Sequence, residues 1–330
     1  MAPVDAAGDD DPGERLPWPF LAFTLLVSVA LARGLAGKLG EGADPWRVAL
    51  AMAPAFATVV ALFNPAVIAG LRALGHRRVA AAAAGLALWT FLVPAARLDP
   101  YWAVLLALWA GVPILALRHE PDPGRLTALG LLVWLVWWIP FDLRWFKTLW
   151  TGPGGPSYAA SALLVTALAG AAFGALTRQG GPALRPPAWR DVAVGGGALL
   201  VLGVIAIPLG LATGFLKAPD GAKLGVASAF LTAFGLAFTV ALPEELYFRG
   251  VLDAGLRPHF RRAWTSLVAS SVAFGLMHWN NRDDLDAQLK YLLLASIAGV
   301  FYGLAYRRGG LWAAVIAHTL VDLVWQMFLR

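Results

Sequence analysis

The chain contains no cysteine, which excludes disulfides, thiol nucleophiles and zinc–thiolate sites. It is also short of charge. Only 14% of its 330 residues are charged, against about 25% in a soluble globular domain. No basic face or nucleic-acid motif accompanies the formal charge of +6, so nucleic acid is not an expected partner. The Lys and Arg residues sit instead in short clusters between apolar runs, as loops held against anionic lipid would. No basic n-region or small-residue cleavage site opens the chain. Its first residues are acidic, with Asp9, Asp10, Asp11 and Glu14, and positions 1–17 read as a short disordered tail. The apolar run after it is then expected to be a retained span. There is no His-Glu-x-x-His, the usual helical zinc-protease signature.

What remains is hydrophobic. Residues of the apolar classes make up 59% of the chain, against roughly 45–50% in soluble domains. A water-soluble core of this size could not bury that surface with so little charge to cover it. The sequence therefore predicts an all-α fold, a polytopic transmembrane helical bundle in a cell membrane, with the lipid bilayer as its surroundings. Eleven apolar segments are legible: Trp18–Ala36, Trp46–Leu71, Val79–Ala96, Tyr101–Leu117, Leu126–Trp145, Tyr158–Leu176, Val192–Leu216, Leu224–Phe248, Trp264–Trp279, Leu289–Tyr306 and Leu311–Leu329. A span needs about 20 residues, and several of these are at the short limit. Breaks at Pro121–Gly124, Gly152–Pro156, Gly180–Pro187 and Arg307–Gly310 support the divisions. Pro65, Pro113, Pro140 and Pro208 are expected to kink their helices. An excess of Lys and Arg on the side of the N-terminal tail favours a cytoplasmic N-terminus.

Polar residues that could carry chemistry are concentrated in the final third, in three clusters. The first is Pro243–Gly250, with Glu244, Glu245 and Arg249. Two adjacent carboxylates after a long apolar run are expensive at membrane depth and mark a functional site there. Glu245 and Arg249 are four apart and share a helix face, whereas Glu244 points about 100° away. The same residues also read as a charged turn at the interface. The second cluster, Phe274–Asn280, places His278 one turn after Phe274; a lone histidine near a helix end is more often interfacial than catalytic. In the third, His318 and Asp322 are four apart inside an apolar span, where a carboxylate needs a partner or a water-filled cavity. A structural pair locking two helices is the competing explanation. At 1.5 Å per residue, Glu244 lies about 18 Å from a helix end near Leu256. His278 lies about 21 Å along a helix from Trp264, and His318 about 10 Å into its own, so the three could meet inside the bundle.

These three clusters resemble the motifs of the CAAX-protease and bacteriocin-processing family of intramembrane glutamic endopeptidases: Glu-Glu-x-x-x-Arg, Phe-x-x-x-His and His-x-x-x-Asn or Asp, in that order on separate helices. The matching residues are Glu244, Glu245 and Arg249, then Phe274 and His278, then His318 and Asp322. Asp322 stands where the prenyl-protein proteases carry asparagine. The resemblance implies a catalytic part at 217–330, with the helices of 18–216 as a possible lineage-specific extension. It implies peptide hydrolysis by a water that Glu244 activates as general base and His278 orients. His318 then stabilises the oxyanion with Asp322 completing its network, while Glu245, Arg249 and Phe274 support them. A carboxylate donates to an oxyanion only when protonated, so Asp322 is read as a partner of His318. No cofactor and no metal are expected, although two Glu and two His are competent zinc ligands. A transporter using buried Glu, His and Asp and a non-catalytic immunity or scaffold protein are the other readings. The expected substrate is a membrane-anchored protein or peptide. The Ala-, Gly- and Arg-rich composition points to a bacterial cytoplasmic membrane, where prenylated substrates are not expected.

Overall fold

The computed structural model describes residues 22, 24–26, 28–29, 44–93, 99–119, 125–149, 155–177, 185–218, 221 and 225–329. The tail at 1–17 and most of the apolar run Trp18–Ala36 lie outside these residues. All the regular structure described is helical. In chain order the helices are α1 (Pro45–Ala61), α2 (Pro65–Leu92), α3 (Pro100–His119), α4 (Ala128–Asp142), α5 (Tyr158–Leu176), α6 (Trp189–Ala212), α7 (Val226–His259), α8 (Ala263–Leu276), α9 (Leu285–Gly309) and α10 (Leu311–Leu329). The protein is a multi-pass membrane helical bundle, as its composition predicts.

The span count differs from the sequence expectation. Among the described residues six helices are long and apolar enough to cross a membrane, or seven if a bent pair counts as one. That pair is α1 and α2, which meet at 101°. Trp46–Leu71 is therefore not one straight span, and α2 is itself broken at Gly75, whose φ of 70° and ψ of 169° are not helical, so that a break does precede Val79. The cause of the bend is local: Asn64 accepts a hydrogen bond from the Ala66 amide at 2.9 Å and Pro65 occupies the first helical turn. Side-chain capping followed by a proline with preset φ starts a helix; Pro65 begins one rather than kinking one. Asp44–Pro45 and Asp99–Pro100 start α1 and α3 in the same way. The bend removes the simple alternation of loops on which the side assignment of the N-terminus rested. Two other expected spans are short helices, α4 with 15 residues and α8 with 14.

The site is framed by α7 to α10. Helix α7 is the long one, 34 residues, and it contains π-helical turns at Ala237–Ala241 and Leu246–Asp253 on either side of the segment Leu242–Glu245. Such widened turns are frequent at functional sites. With a rise of 1.5 Å per residue, Glu244 is about 27 Å from one end of α7 and about 22 Å from the other, well inside the bundle. Helices α9 and α10 form a hairpin at Gly310, whose φ of 83° needs a residue without a Cβ. Close packing of α8 on α9 depends on Gly275: a Cβ there would come within 2.6 Å of the Leu292 carbonyl oxygen.

One end of this frame is fastened by Asp253, which is fully buried. Arg307 reaches it from α9 at 2.7 Å and also donates to the Ala263 carbonyl and the Ser266 hydroxyl of α8. The N-terminal helices hold α7 from behind. Trp134 of α4 donates to the Tyr247 carbonyl at 2.9 Å, and the Tyr247 hydroxyl donates to the Val165 carbonyl of α5 at 3.2 Å. Trp134 and Trp138 both pack edge-on to Phe248. Helices α4 and α5 are thus packed directly on the segment that carries the two glutamates.

Candidate active site

All seven residues singled out in the sequence come together. Glu245 and Arg249 are fully buried on one face of α7, with Arg249 Nε 3.3 Å from Glu245 Oε2. Removing a charge from a buried pair of this kind costs about 3–5 kcal/mol. Arg249 also donates to the Gly299 carbonyl of α9 at 3.0 Å, and its guanidinium lies 4.4 Å from the centre of the Phe274 ring. A Cβ at position 299 would meet that guanidinium and Ser271 at 3.0 to 3.2 Å. The backbone of α9 is close enough to serve as an acceptor because Gly299 leaves the space.

Glu245 has a second contact that its spacing in sequence does not reveal. Its Oε1 lies 2.8 Å from His318 Nδ1. A carboxylate only accepts, so Nδ1 carries the proton of this bond and the imidazole Nε2 faces the other way. On that side are Asp322 Oδ2 at 3.6 Å and Glu244 Oε2 at 3.8 Å. Neither is a hydrogen bond at that separation. Asp322 is within ion-pair distance of His318 without a hydrogen bond, and Glu245 and a stacked ring hold the imidazole as well. The ring is Tyr302, centred 4.5 Å from the imidazole at an interplanar angle of 14°.

His278 lies just beyond the end of α8, where the chain has left the helix. Its Nδ1 is 2.8 Å from the Phe274 carbonyl oxygen. A carbonyl oxygen cannot donate, so this bond also fixes the proton on Nδ1 and leaves Nε2 as the free ring nitrogen. Phe274 sits between the two histidines, 4.7 Å from His278 and 5.7 Å from His318 by ring centres.

Glu244 is buried, and its Oε2 makes no hydrogen bond to the protein. It lines a polar cavity of about 40 Å³ together with His278, Asn281, Asp142, Arg144 and Tyr158. A second cavity of about 130 Å³ has apolar walls that include Leu202, Ile207, Leu294 and Trp325, and His278, His318 and Asp322 lie on its boundary. Tyr302, Asp142, Arg144 and Tyr158 are site residues that the sequence did not reveal. An aromatic in an apolar helix reads as packing, and Arg144 reads as one more loop cation. Among the described residues no three His, Asp or Glu side chains are grouped to hold a metal ion.

The arrangement offers one buried carboxylate facing a small polar cavity, a neutral-capable imidazole beside it, and a second imidazole braced by a carboxylate. Those are the parts of acid–base chemistry on a water molecule. No curated protein and no solved structure matches the chain. Residues 226–324, which carry α7 to α9, most of α10 and all seven of the residues picked from the sequence, match the family model described as type II CAAX prenyl endopeptidase Rce1-like.

Proposed function

We propose that the protein is an intramembrane endopeptidase that hydrolyses a peptide bond of a membrane-associated protein or peptide, with a water activated by Glu244. The observation that carries this reading is Glu244 Oε2, buried and without a protein hydrogen-bond partner at the wall of a cavity large enough for water. Buried polar atoms are nearly always hydrogen-bonded, so a carboxylate that lines a polar cavity and has an oxygen without a hydrogen bond is where a reacting water belongs. Glu244 takes the proton of that water as it attacks the scissile carbonyl, and returns it to the amine nitrogen as the C–N bond breaks. His278, with Nδ1 committed to Phe274, presents Nε2 to orient the water or relay the proton.

The tetrahedral intermediate needs a donor for its oxyanion. His318 supplies it from Nε2 when both ring nitrogens are protonated. The carboxylates of Glu245, Asp322 and Glu244 at 2.8, 3.6 and 3.8 Å are the counter-charges such an imidazolium requires. Glu245 and Arg249 fix the position of His318, and Asp322 completes the charge around Nε2. The apolar cavity on the His318 side suits a substrate held in the bilayer by a hydrophobic anchor. Residues 217–330 carry the catalytic groups in this proposal.

The test is purified protein in vesicles with co-reconstituted single-span peptides, the products read by mass spectrometry as new peptide termini. The expected result is cleavage at a defined bond close to the membrane. Vesicles that show no cleavage but a Glu244-dependent ion flux would replace the endopeptidase by a transporter.

A further inference from the structure

The polar cavity beside Glu244 has two walls from different parts of the chain. One is Glu244 from α7 with His278 and Asn281 after α8; the other is Asp142, Arg144 and Tyr158. The latter three lie outside the 226–324 segment matched by the family model. Exposure falls along the cavity. Arg144 and Asn281 are exposed, Asp142 is half-buried and Glu244 is buried. Its rim is therefore open where its inner end is the carboxylate. A volume of about 40 Å³ accommodates about three or four waters, since one requires about 10–15 Å³.

The rim has a second unusual feature. Arg144 has φ 55°, and among the described residues it is the one non-glycine residue with positive φ. A long side chain in that conformation persists only where the surroundings impose it, and such residues cluster at working sites. The Arg144 guanidinium lies 5.8 Å from the Tyr158 ring centre, and the Tyr158 ring stacks on Phe141 at 5.2 Å. The turn after α4 thus places a cation beside the aromatic wall of the cavity. The apolar cavity shares only His278 with this one among its lining residues, so two separate openings converge on one histidine.

We infer that the polar cavity is the water inlet of the Glu244 site, and that Asp142, Arg144 and Tyr158 are positioning residues that keep it open and hydrated. The inference rests on the endopeptidase reading and adds that the N-terminal helices build part of the working site. A hydrolase whose base lies this deep in an apolar bundle consumes one water per turnover, and that water needs a polar route distinct from the one the apolar substrate uses.

The experiment is millisecond hydroxyl-radical footprinting of the full chain in lipid nanodiscs, which oxidises side chains next to water. Met277 lines the inlet, and Met52 is fully buried in the N-terminal core. The expected result is that Met277 and Tyr158 are oxidised several times faster than Met52. Asn281→Trp or Asp142→Trp, which fill the rim, should slow Met277 oxidation and lower kcat while KM changes little. Arg144→Gly removes the backbone strain, so its melting temperature should not fall, yet kcat should drop by about 10- to 100-fold through misplaced water. Arg144→Lys should retain more of the rate than Arg144→Gly. Met277 oxidation as slow as that of Met52, or folded rim variants with unchanged Met277 oxidation and unchanged kcat, would overturn the inlet. Footprinting needs no turnover, so a hydrated inlet in a protein that cleaved nothing would overturn the endopeptidase reading alone.

Discussion

Glu245 and His318 are 73 residues apart in sequence, and their side chains meet at 2.8 Å between Oε1 and Nδ1. The same carboxylate pairs with Arg249 through its other oxygen at 3.3 Å. Glu245 is therefore the brace between the helix that carries both glutamates and the helix that carries His318, while its neighbour Glu244 faces the cavity. Two adjacent residues of one type thus meet different surroundings, because a helix turns them about 100° apart.

The brace predicts non-additivity. Glu245→Gln and Arg249→Ala should each lower the melting temperature in detergent and each reduce cleavage, since both disturb one buried pair. The double variant should lose less than the sum of the two. Thermal unfolding and initial rates on all four proteins of the cycle give the comparison. Strict additivity would mean that the two residues act separately.

Stacking on Tyr302 is a second constraint on His318. Tyr302→Phe keeps the ring and should leave cleavage nearly unchanged. Tyr302→Leu removes an aromatic contact worth about 0.5–1.5 kcal/mol, and should lower kcat by up to about tenfold with little change in KM. Steady-state kinetics on both variants check this, with Tyr302→Phe as the control for the hydroxyl.

Much of the site was legible in the chain. Glu244, Glu245, His318 and Asp322 stand out because apolar helices reject charge, His278 was picked out by the motif resemblance, and the Glu245–Arg249 pair follows from helical spacing alone. The Glu245–His318 bond was not legible, because periodicity ranks residues on one helix and says nothing of the rotation of another. The bend at Asn64–Pro65 was misread for a different reason. A hydropathy window averages over a capping residue, so a helix start inside an apolar stretch looks like a kink in a continuous span. His278 was placed on a helix, and it lies past the end of one; the glycine nearby, Gly275, lies before the stop and serves the close packing of α8 on α9 rather than a cap.

Asp322 and His318 separate orientation from donation. His318→Ala removes the proposed oxyanion donor and should cost about 100- to 1,000-fold in kcat. Asp322 stands 3.6 Å from Nε2 without a hydrogen bond, so Asp322→Asn should cost less than about tenfold, on the scale of one net hydrogen bond. Parallel kinetics on the two variants test the difference. Equal losses would show that the aspartate charge itself is needed at the reacting centre.

Metal dependence is a separate measurement. If Glu244 activates the water directly, purified protein should retain its activity after exhaustive chelation, and elemental analysis should find no stoichiometric zinc. Zinc lost and restored in step with activity would make Glu244 and the histidines ligands.

The most direct measurement is the cleavage rate of Glu244→Gln, alongside its melting temperature and monodispersity in detergent. The amide keeps the shape and hydrogen-bonding reach of the side chain and loses the ability to take a proton. The account predicts a folded protein whose rate falls by about 10²- to 10⁴-fold, the usual contribution of a general base. A folded Glu244→Gln protein that cleaves at the wild-type rate would contradict it.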